Sequence, residues 1–242
     1  MKIYKYKDLR PKENRRHFID MVLENSIWCA DPESLNDRDE EFRFNYDYQP
    51  TRKTEILLRK VLEKQGIDSS AWKARYVIEN GRLQEMVEPI MNQLIEKARR
   101  ELGIASFSKS GNENRLWEDY GGSHCGVCVE FEIPENLIGV AYHYVSYVEE
   151  KFFHIDTWFE SYLDESKAFD SYRNMLLTKN KEKWGSQAEV RLITSGQKIK
   201  QRVHGPVTKI LFGGNVPNSV YEEMMKSISS HCQQNDIRIV RF

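Results

Sequence analysis

Three polar side chains alternate in a short segment near the end of the chain, and their types could do chemistry. The segment follows a turn at Gly185-Ser186, and a strand period of two places Gln187, Glu189 and Arg191 on one face. A carboxylate beside a guanidinium can be held in one position or aimed at a ligand hydroxyl. The alternative is an exposed polar strand face, on which a Glu–Arg pair contributes little stability.

A second polar run lies between residues 104 and 132. Ser106 and Ser108 alternate with Ala105 and Phe107, so two hydroxyls share one face of a predicted strand. The pair Gly121-Gly122 then allows a close approach by backbone or ligand. We therefore expect a pocket beside this stretch.

These residues must be positioned by a mixture of strands and helices. The hydrophobic periodicity predicts strands over 2–6, 26–30, 104–108, 125–132, 140–148, 187–193, 207–212 and 237–241, and helices over 13–24, 156–179 and 220–231. Helical periodicity also dominates residues 51–102. The pattern predicts a single α+β domain over residues 1–242, with a central, mostly antiparallel mixed sheet and a helical insertion at about 51–102.

The composition excludes strong electrostatic steering. The formal net charge of the 242 residues is −1, so no long-range field directs the chain toward nucleic acid or anionic lipid. The net charge does not exclude a local patch of basic residues on the surface. No apolar run reaches membrane-spanning length, and residues 1–6 lack the apolar core of a signal peptide. We expect a cytoplasmic protein without a membrane partner.

Four cysteines bear on the compartment and on metal binding. Cys125-x-x-Cys128 is spaced like a redox or zinc motif, but residues three apart in a strand point to opposite faces. No second Cys-x-x-Cys is present. We interpret Cys29, Cys125, Cys128 and Cys232 as thiols in a reducing compartment.

Two further segments carry weaker signals. The acidic segment Leu35–Phe42 could ligate a divalent cation, although a solvated loop is the favoured interpretation. Gly213-Gly214 precedes a predicted helix and could hold a phosphate, but a tight turn explains it equally well. Neither segment predicts a bound metal.

Several separated motifs together resemble a widespread bacterial family of unknown function. They are Tyr4-Lys5-Tyr6; Ile27-Trp28 with Asn36-Asp37; Ser106-Phe107-Ser108; Leu116-Trp117-x-x-Tyr120 before Gly126-Val127; and Trp184 followed by Glu189-x-Arg191-Leu192-Ile193. The sequence departs from that family at Gln187, where a Glu is usual, and at Arg38, where a Pro is usual.

The order of the predicted elements is also similar to the ADP-ribosyltransferase fold. That resemblance implies that Tyr4, Lys5 or Tyr6 contacts the phosphates or ribose of NAD. It implies that the strand of Ser106 and Ser108 braces the site. Many members have Arg or His where this chain has Lys and two Tyr.

The same resemblance assigns the remaining roles. Glu189 becomes the catalytic carboxylate and Gln187 orients the acceptor, while Arg191 lies beside Glu189 on the wall of the NAD site. Trp117, Tyr120 or Tyr6 could stack on nicotinamide or adenine. A fixed carboxylate would stabilise the positive charge that develops when the nicotinamide–ribose bond breaks.

The function implied is ADP-ribosyl transfer or NAD hydrolysis, with NAD as a substrate, a protein or nucleic-acid acceptor, and a setting in bacterial toxin or phage-defence biology. Two alternatives remain open. One is a non-enzymatic ligand-binding or partner-binding protein. The other is a metal-dependent hydrolase or nuclease with His124 or His204 as base and the acidic segment as metal site. Convergence of Glu189, Ser106 and Tyr6 on one cleft would favour the transferase.

Overall fold

The computed structural model describes residues 1–35 and 45–242. Thirteen strands lie in these ranges: β1 Lys2–Asp8, β2 Ser26–Cys29, β3 Asn45–Asp47, β4 Gly103–Ser108, β5 Gly126–Glu132, β6 Tyr142–Tyr144, β7 Ser146–Val148, β8 Phe152–His154, β9 Thr178–Asn180, β10 Glu189–Thr194, β11 Ile199–Arg202, β12 Val207–Phe212 and β13 Arg238–Arg241. Nine α-helices lie in the same ranges: α1 Lys12–Leu23, α2 Thr54–Lys64, α3 Ala71–Glu79, α4 Leu83–Glu101, α5 Asn114–Asp119, α6 Ile155–Leu163, α7 Glu165–Leu176, α8 Lys181–Trp184 and α9 Asn218–Gln234. The fold is α+β.

A seven-stranded sheet organises the first of two compact units, which comprises Met1–Pro32, Leu102–Val145 and Trp184–Phe242. Its strand order is β13-β12-β5-β1-β4-β10-β6. Neighbouring strands are antiparallel except β12 and β13, which are parallel and connected through α9. The sheet is therefore mixed and mostly antiparallel, as the sequence predicts.

One face of this sheet packs against helices. In α1 the apolar residues Phe18, Met21 and Val22 recur at helical spacing, so they form one stripe, and all three are buried. They join the inward residues of the strands, such as Val129 and Phe212, in the main core. The opposite face carries a smaller cluster of Tyr6, Leu116, Trp117, Cys128 and Leu211.

The second unit comprises Glu33–Glu101 and Ser146–Lys183. It contains α2, α3, α4, α6 and α7 and two small parallel strand pairs, β3 with β8 and β7 with β9. The helical character predicted for residues 51–102 agrees with α2, α3 and α4. The assignment of one domain to residues 1–242 stays a prediction.

Two predicted elements are divided in the structure. The predicted strand over 140–148 changes partner at its middle, because Val145 donates its backbone N–H to Glu189 and Ser146 donates to Leu177. It therefore forms β6 and β7, which belong to different sheets. The predicted helix over 156–179 ends at Asp164, whose backbone is extended (φ −133°, ψ 113°). Within the described ranges, no helix has the length and apolar character needed to cross a membrane.

Candidate functional site

A row of polar side chains crosses four neighbouring strands of the seven-stranded sheet. Tyr4 of β1 is in register with Glu130 of β5 on one side and with Ser108 of β4 on the other. Ser108 is in turn in register with Glu189 of β10. Residues in register point to the same face, so three residues predicted from the sequence lie in one row with Glu130.

Glu189 and Arg191 form an ion pair inside this face. The Nε of Arg191 donates to Oε1 of Glu189 at 2.7 Å, and the two side chains are 1% and 5% exposed respectively. Spacing of two along β10 places both on one side of the strand. Across the sheet, Arg191 is in register with Ser106 on β4 and with His143 on β6. The carboxylate is thus removed from bulk water and fixed by a charge-assisted hydrogen bond.

Ser108 braces the start of β10. Its buried hydroxyl donates to the carbonyl of Gln187 at 2.8 Å and accepts from the backbone N–H of Ser110 at 3.1 Å. The backbone N–H of Lys109 donates to the carbonyl of Ala188 at 3.0 Å. Ser108 therefore acts by holding the backbone that precedes Glu189.

Gln187 does not belong to the strand of Glu189, so the predicted start of that strand at 187 is wrong. It belongs to a 3-10 turn, Gly185–Gln187, and Ala188 is left-handed with φ 44°. The strand begins only at Glu189, because the left-handed residue interrupts the extended period. Gln187 is nevertheless buried, and its Nε2 donates to the hydroxyl of Tyr120 at 3.0 Å.

The two tyrosines of β1 are on the same face as Glu189 but are held by protein groups. The hydroxyl of Tyr6 donates to the carbonyl of Ser110 at 3.0 Å and accepts from the N–H of Glu113 at 3.4 Å. Burial raises the pKa of Tyr6. Burial, together with a hydrogen bond to Glu130, raises the pKa of Tyr4 to about 12. Both phenols are therefore neutral donors at neutral pH.

Trp117 is enclosed by other rings. It is 1% exposed, stacks on His124 with ring centroids 5.2 Å apart, and meets Tyr6 and Phe242 edge to face. Its main interaction in this structure is packing. Tyr120 packs against the same cluster as Trp117 and is half-buried, and its hydroxyl accepts a hydrogen bond from Gln187.

Lys5 lies between β1 and β4. Its Nζ donates to the carbonyl of Ser106 at 2.7 Å and lies 5.9 Å from the centre of the Phe107 ring. Burial and the neighbouring Lys7 lower the pKa of Lys5 to about 8, although Glu189 acts in the opposite direction. The amine is engaged with backbone.

This lowered pKa predicts a pH-dependent contribution to folding. The unfolded chain keeps Lys5 protonated up to its ordinary pKa near 10.5, whereas the folded chain releases the proton near pH 8. Between these values the unfolded state binds more protons, so Lys5 makes the folded state more stable as pH rises. We expect the melting temperature of the parent chain, relative to Lys5→Met, to increase from pH 8 to 10.

Thermal unfolding of the two chains at several pH values measures this difference. Lys226→Met, at an exposed position of α9, is the control and should show a constant offset across the range. If the difference in melting temperature between the parent chain and Lys5→Met is also constant across the pH range, the lowered pKa of Lys5 is contradicted.

Glu130 is the member of the row that sequence reasoning missed. It is buried, and it accepts from Lys2 at 2.8 Å and from Thr208 at 2.7 Å. Burial alone would raise the pKa of Glu130, but hydrogen bonds from Lys2, Thr208 and Tyr4 outweigh this and lower it. The signal in the sequence is a carboxylate at an alternate position of an otherwise apolar strand.

No cation site emerges from the described part of the chain. Across residues 1–35 and 45–242, no group of three or more His, Cys, Asp and Glu side chains is placed to hold a metal ion. The four cysteines are free thiols. The acidic segment, together with the Asn36-Asp37 motif, falls mostly on residues 36–44, outside the described residues.

The arrangement brings Tyr4, Tyr6, Ser106, Ser108 and Glu189 to one face of the sheet, and it places the Lys5 amine against the carbonyl of Ser106. Such a face can present a fixed carboxylate beside hydroxyl groups to a ligand that develops positive charge. Comparisons with protein-family models, with curated proteins and with solved structures found no match to this chain.

Proposed function

We propose that the chain is an NAD-using enzyme of the ADP-ribosyltransferase type, and that its sheet follows that fold. It would release nicotinamide and pass ADP-ribose to water or to a protein or nucleic-acid acceptor. The observation that carries the proposal is the position of Glu189. This carboxylate is 5% exposed, pairs with Arg191 at 2.7 Å, and lies in register with Ser108.

Cleavage of the nicotinamide–ribose bond requires one fixed negative charge near the ribose. When the bond between nicotinamide and ribose breaks, its electron pair leaves with the nicotinamide nitrogen, which becomes neutral. The ribose carbon becomes an oxocarbenium centre, and an attacking water or acceptor then loses a proton as the new bond forms. Glu189 would stabilise the cationic centre, and a carboxylate that is already oriented does so without reorganisation.

The neighbouring residues would position this carboxylate and the substrate. Arg191 fixes Oε1 of Glu189, and Ser108 fixes the turn that leads into the strand. Gln187, hydrogen-bonded to Tyr120, would orient the acceptor. Tyr4 would donate its neutral hydroxyl to the ribose or phosphates, since burial keeps it protonated.

A second candidate is a non-enzymatic binding protein, and one observation favours it. The polar groups on this face already have protein partners. Arg191 pairs with Glu189, Ser108 bonds Gln187, and the Tyr6 hydroxyl bonds the chain at residues 110 and 113. A face that is satisfied in this way can hold a ligand or partner without driving a reaction.

NAD turnover by the purified chain distinguishes these candidates. We expect release of nicotinamide with equal formation of ADP-ribose or of an ADP-ribosylated acceptor, measured by chromatography against heat-treated protein. Saturable binding of NAD without nicotinamide release, with candidate acceptors present, would favour the binding protein. Absence of NAD binding would overturn both uses of NAD.

A further inference from the structure

A separate cleft of about 350 Å³ opens in the first unit, where the loops after β12 and before β5 meet. It is lined by Asn112, Trp117, His124, Gly214, Asn215 and Phe242. Neither Glu189 nor Ser108 is among these residues. The cleft therefore does not include the proposed carboxylate, although Trp117 is also a residue that the resemblance assigns to stacking on NAD.

Aromatic rings form one wall of the cleft. His124 lies nearly parallel to Trp117, with an interplanar angle of 11° and centroids 5.2 Å apart. Phe242 meets Trp117 edge to face at 6.0 Å and is 60% exposed. Rings of this kind favour a flat aromatic ligand, because stacking and edge contacts add to the burial of apolar area.

The backbone holds His124 in a conformation that side-chain-bearing residues rarely adopt. Gly122, Ser123 and His124 have φ values of 60°, 53° and 64° in succession. A left-handed residue other than glycine costs about 1–2 kcal/mol. The surrounding structure enforces the turn, since the backbone N–H of Asn215 donates to His124 and the Asn215 side chain donates to Ser123. Strain that the fold maintains in this way is characteristic of ligand sites.

A close approach between the loop after β12 and the loop before β5 also fixes the turn at Gly122–His124. A Cβ on Gly213 would lie 2.3 Å from the carbonyl oxygen of His124, so only glycine fits there. This explains Gly213 without a phosphate, because Gly213 allows the loop after β12 to approach the turn that carries His124. A Cβ on Gly214 would meet only Phe242, at ordinary contact distances.

Two of the polar side chains that line the cleft are uncharged amides, and they lie beside the imidazole of His124. Asn112 and Asn215 are both exposed, and the Asn215 side chain, on the loop before α9, donates to the carbonyl of Ser123. A side-chain amide offers a donor and an acceptor together, which match the N6 and N7 edge of adenine. The six lining residues include no Lys, Arg, Asp or Glu. A flat base with hydrogen-bonding edges therefore matches this lining of rings and amides.

We propose that this cleft binds an adenine-type nucleobase, which lies against His124 and Phe242 and is hydrogen-bonded by Asn112. The site does not depend on ADP-ribosyl transfer. It would allow the protein to bind a nucleoside, a nucleotide or an unpaired adenine at a place distinct from Glu189.

Calorimetric titration of the full chain with adenosine tests the site. We expect saturable binding, with uridine weaker and ribose without measurable heat. Asn112→Leu keeps the side-chain volume but removes the amide, so it should weaken adenosine binding about tenfold, which corresponds to about 1.4 kcal/mol. Asn92→Leu makes the same change at an exposed position of α4 and should leave binding unchanged.

A second variant addresses the ring. His124→Gly permits the left-handed backbone, so the turn should persist while the stacking surface is lost, and binding should again fall at least about tenfold. Glu189→Gln should bind adenosine as the parent does, which separates this site from the proposed enzyme. Absence of saturable adenosine binding, equal binding of ribose, or unchanged affinity in Asn112→Leu would overturn the proposal.

Discussion

Glu189→Gln should lower the rate of nicotinamide release by about 100- to 1,000-fold, the range that removal of one electrostatic contact to a developing charge produces. The substitution preserves the size of the side chain and leaves an oxygen that can accept from Arg191. It removes the negative charge that opposes the oxocarbenium centre. Substrate affinity should change much less than the rate, because NAD carries less positive charge on its ribose than the transition state does.

Glu130→Gln is the matched control for this loss. Glu130 and Glu189 are both 5% exposed, lie on one face, and share the row through Tyr4 and Ser108. Glu130 pairs with Lys2 and Thr208 at the other end of that row and touches the site only through Tyr4, so its variant should lose much less of the rate of nicotinamide release than Glu189→Gln. Rates are compared at temperatures where both variants remain folded. Equal losses in the two variants would contradict a specific role for Glu189.

The sequence identifies the strands of the site but not their neighbours. Alternation alone places Ser106 with Ser108, and Glu189 with Arg191, on single faces, and both placements are confirmed. The row across β5, β1, β4 and β10 depends on pairing between segments about a hundred residues apart, which local periodicity does not encode. For this reason Glu130 was missed although its own strand was predicted.

A left-handed residue accounts for the difference at the start of β10. Gly and Asn are the residue types that usually mark a positive φ, but here Ala188, Ser123 and His124 adopt it. Nothing in an alanine indicates that it interrupts a strand period, so the sequence predicts a strand from 187, whereas the strand begins at Glu189. The fold imposes these conformations through tertiary hydrogen bonds, such as the one from Lys109 to Ala188.

The ion pair between Glu189 and Arg191 should also contribute strongly to stability. Arg191→Met removes the guanidinium from a side chain that is 1% exposed, and it leaves the buried carboxylate of Glu189 without that cation. Loss of one partner from a buried pair costs about 3–5 kcal/mol, because the remaining charge stays desolvated. We expect the free energy of unfolding in urea to fall by this amount. Arg191→Lys keeps the positive charge but loses the hydrogen bond from the guanidinium Nε, so its free energy of unfolding should fall less than that of Arg191→Met.

The double variant Glu189→Gln/Arg191→Met separates the two parts of this loss. It removes both charges, so it should recover much of the stability that Arg191→Met loses, and the non-additivity measures the coupling. Arg115→Met is the exposed comparison, since Arg115 meets Asp119 at 3.6 Å with both side chains nearly half exposed. Such a pair contributes at most about 1 kcal/mol. A loss in Arg191→Met no larger than that in Arg115→Met would show that the Glu189 carboxylate does not depend on Arg191 for its stabilisation. The electrostatic basis for its proposed catalytic role would then be lost.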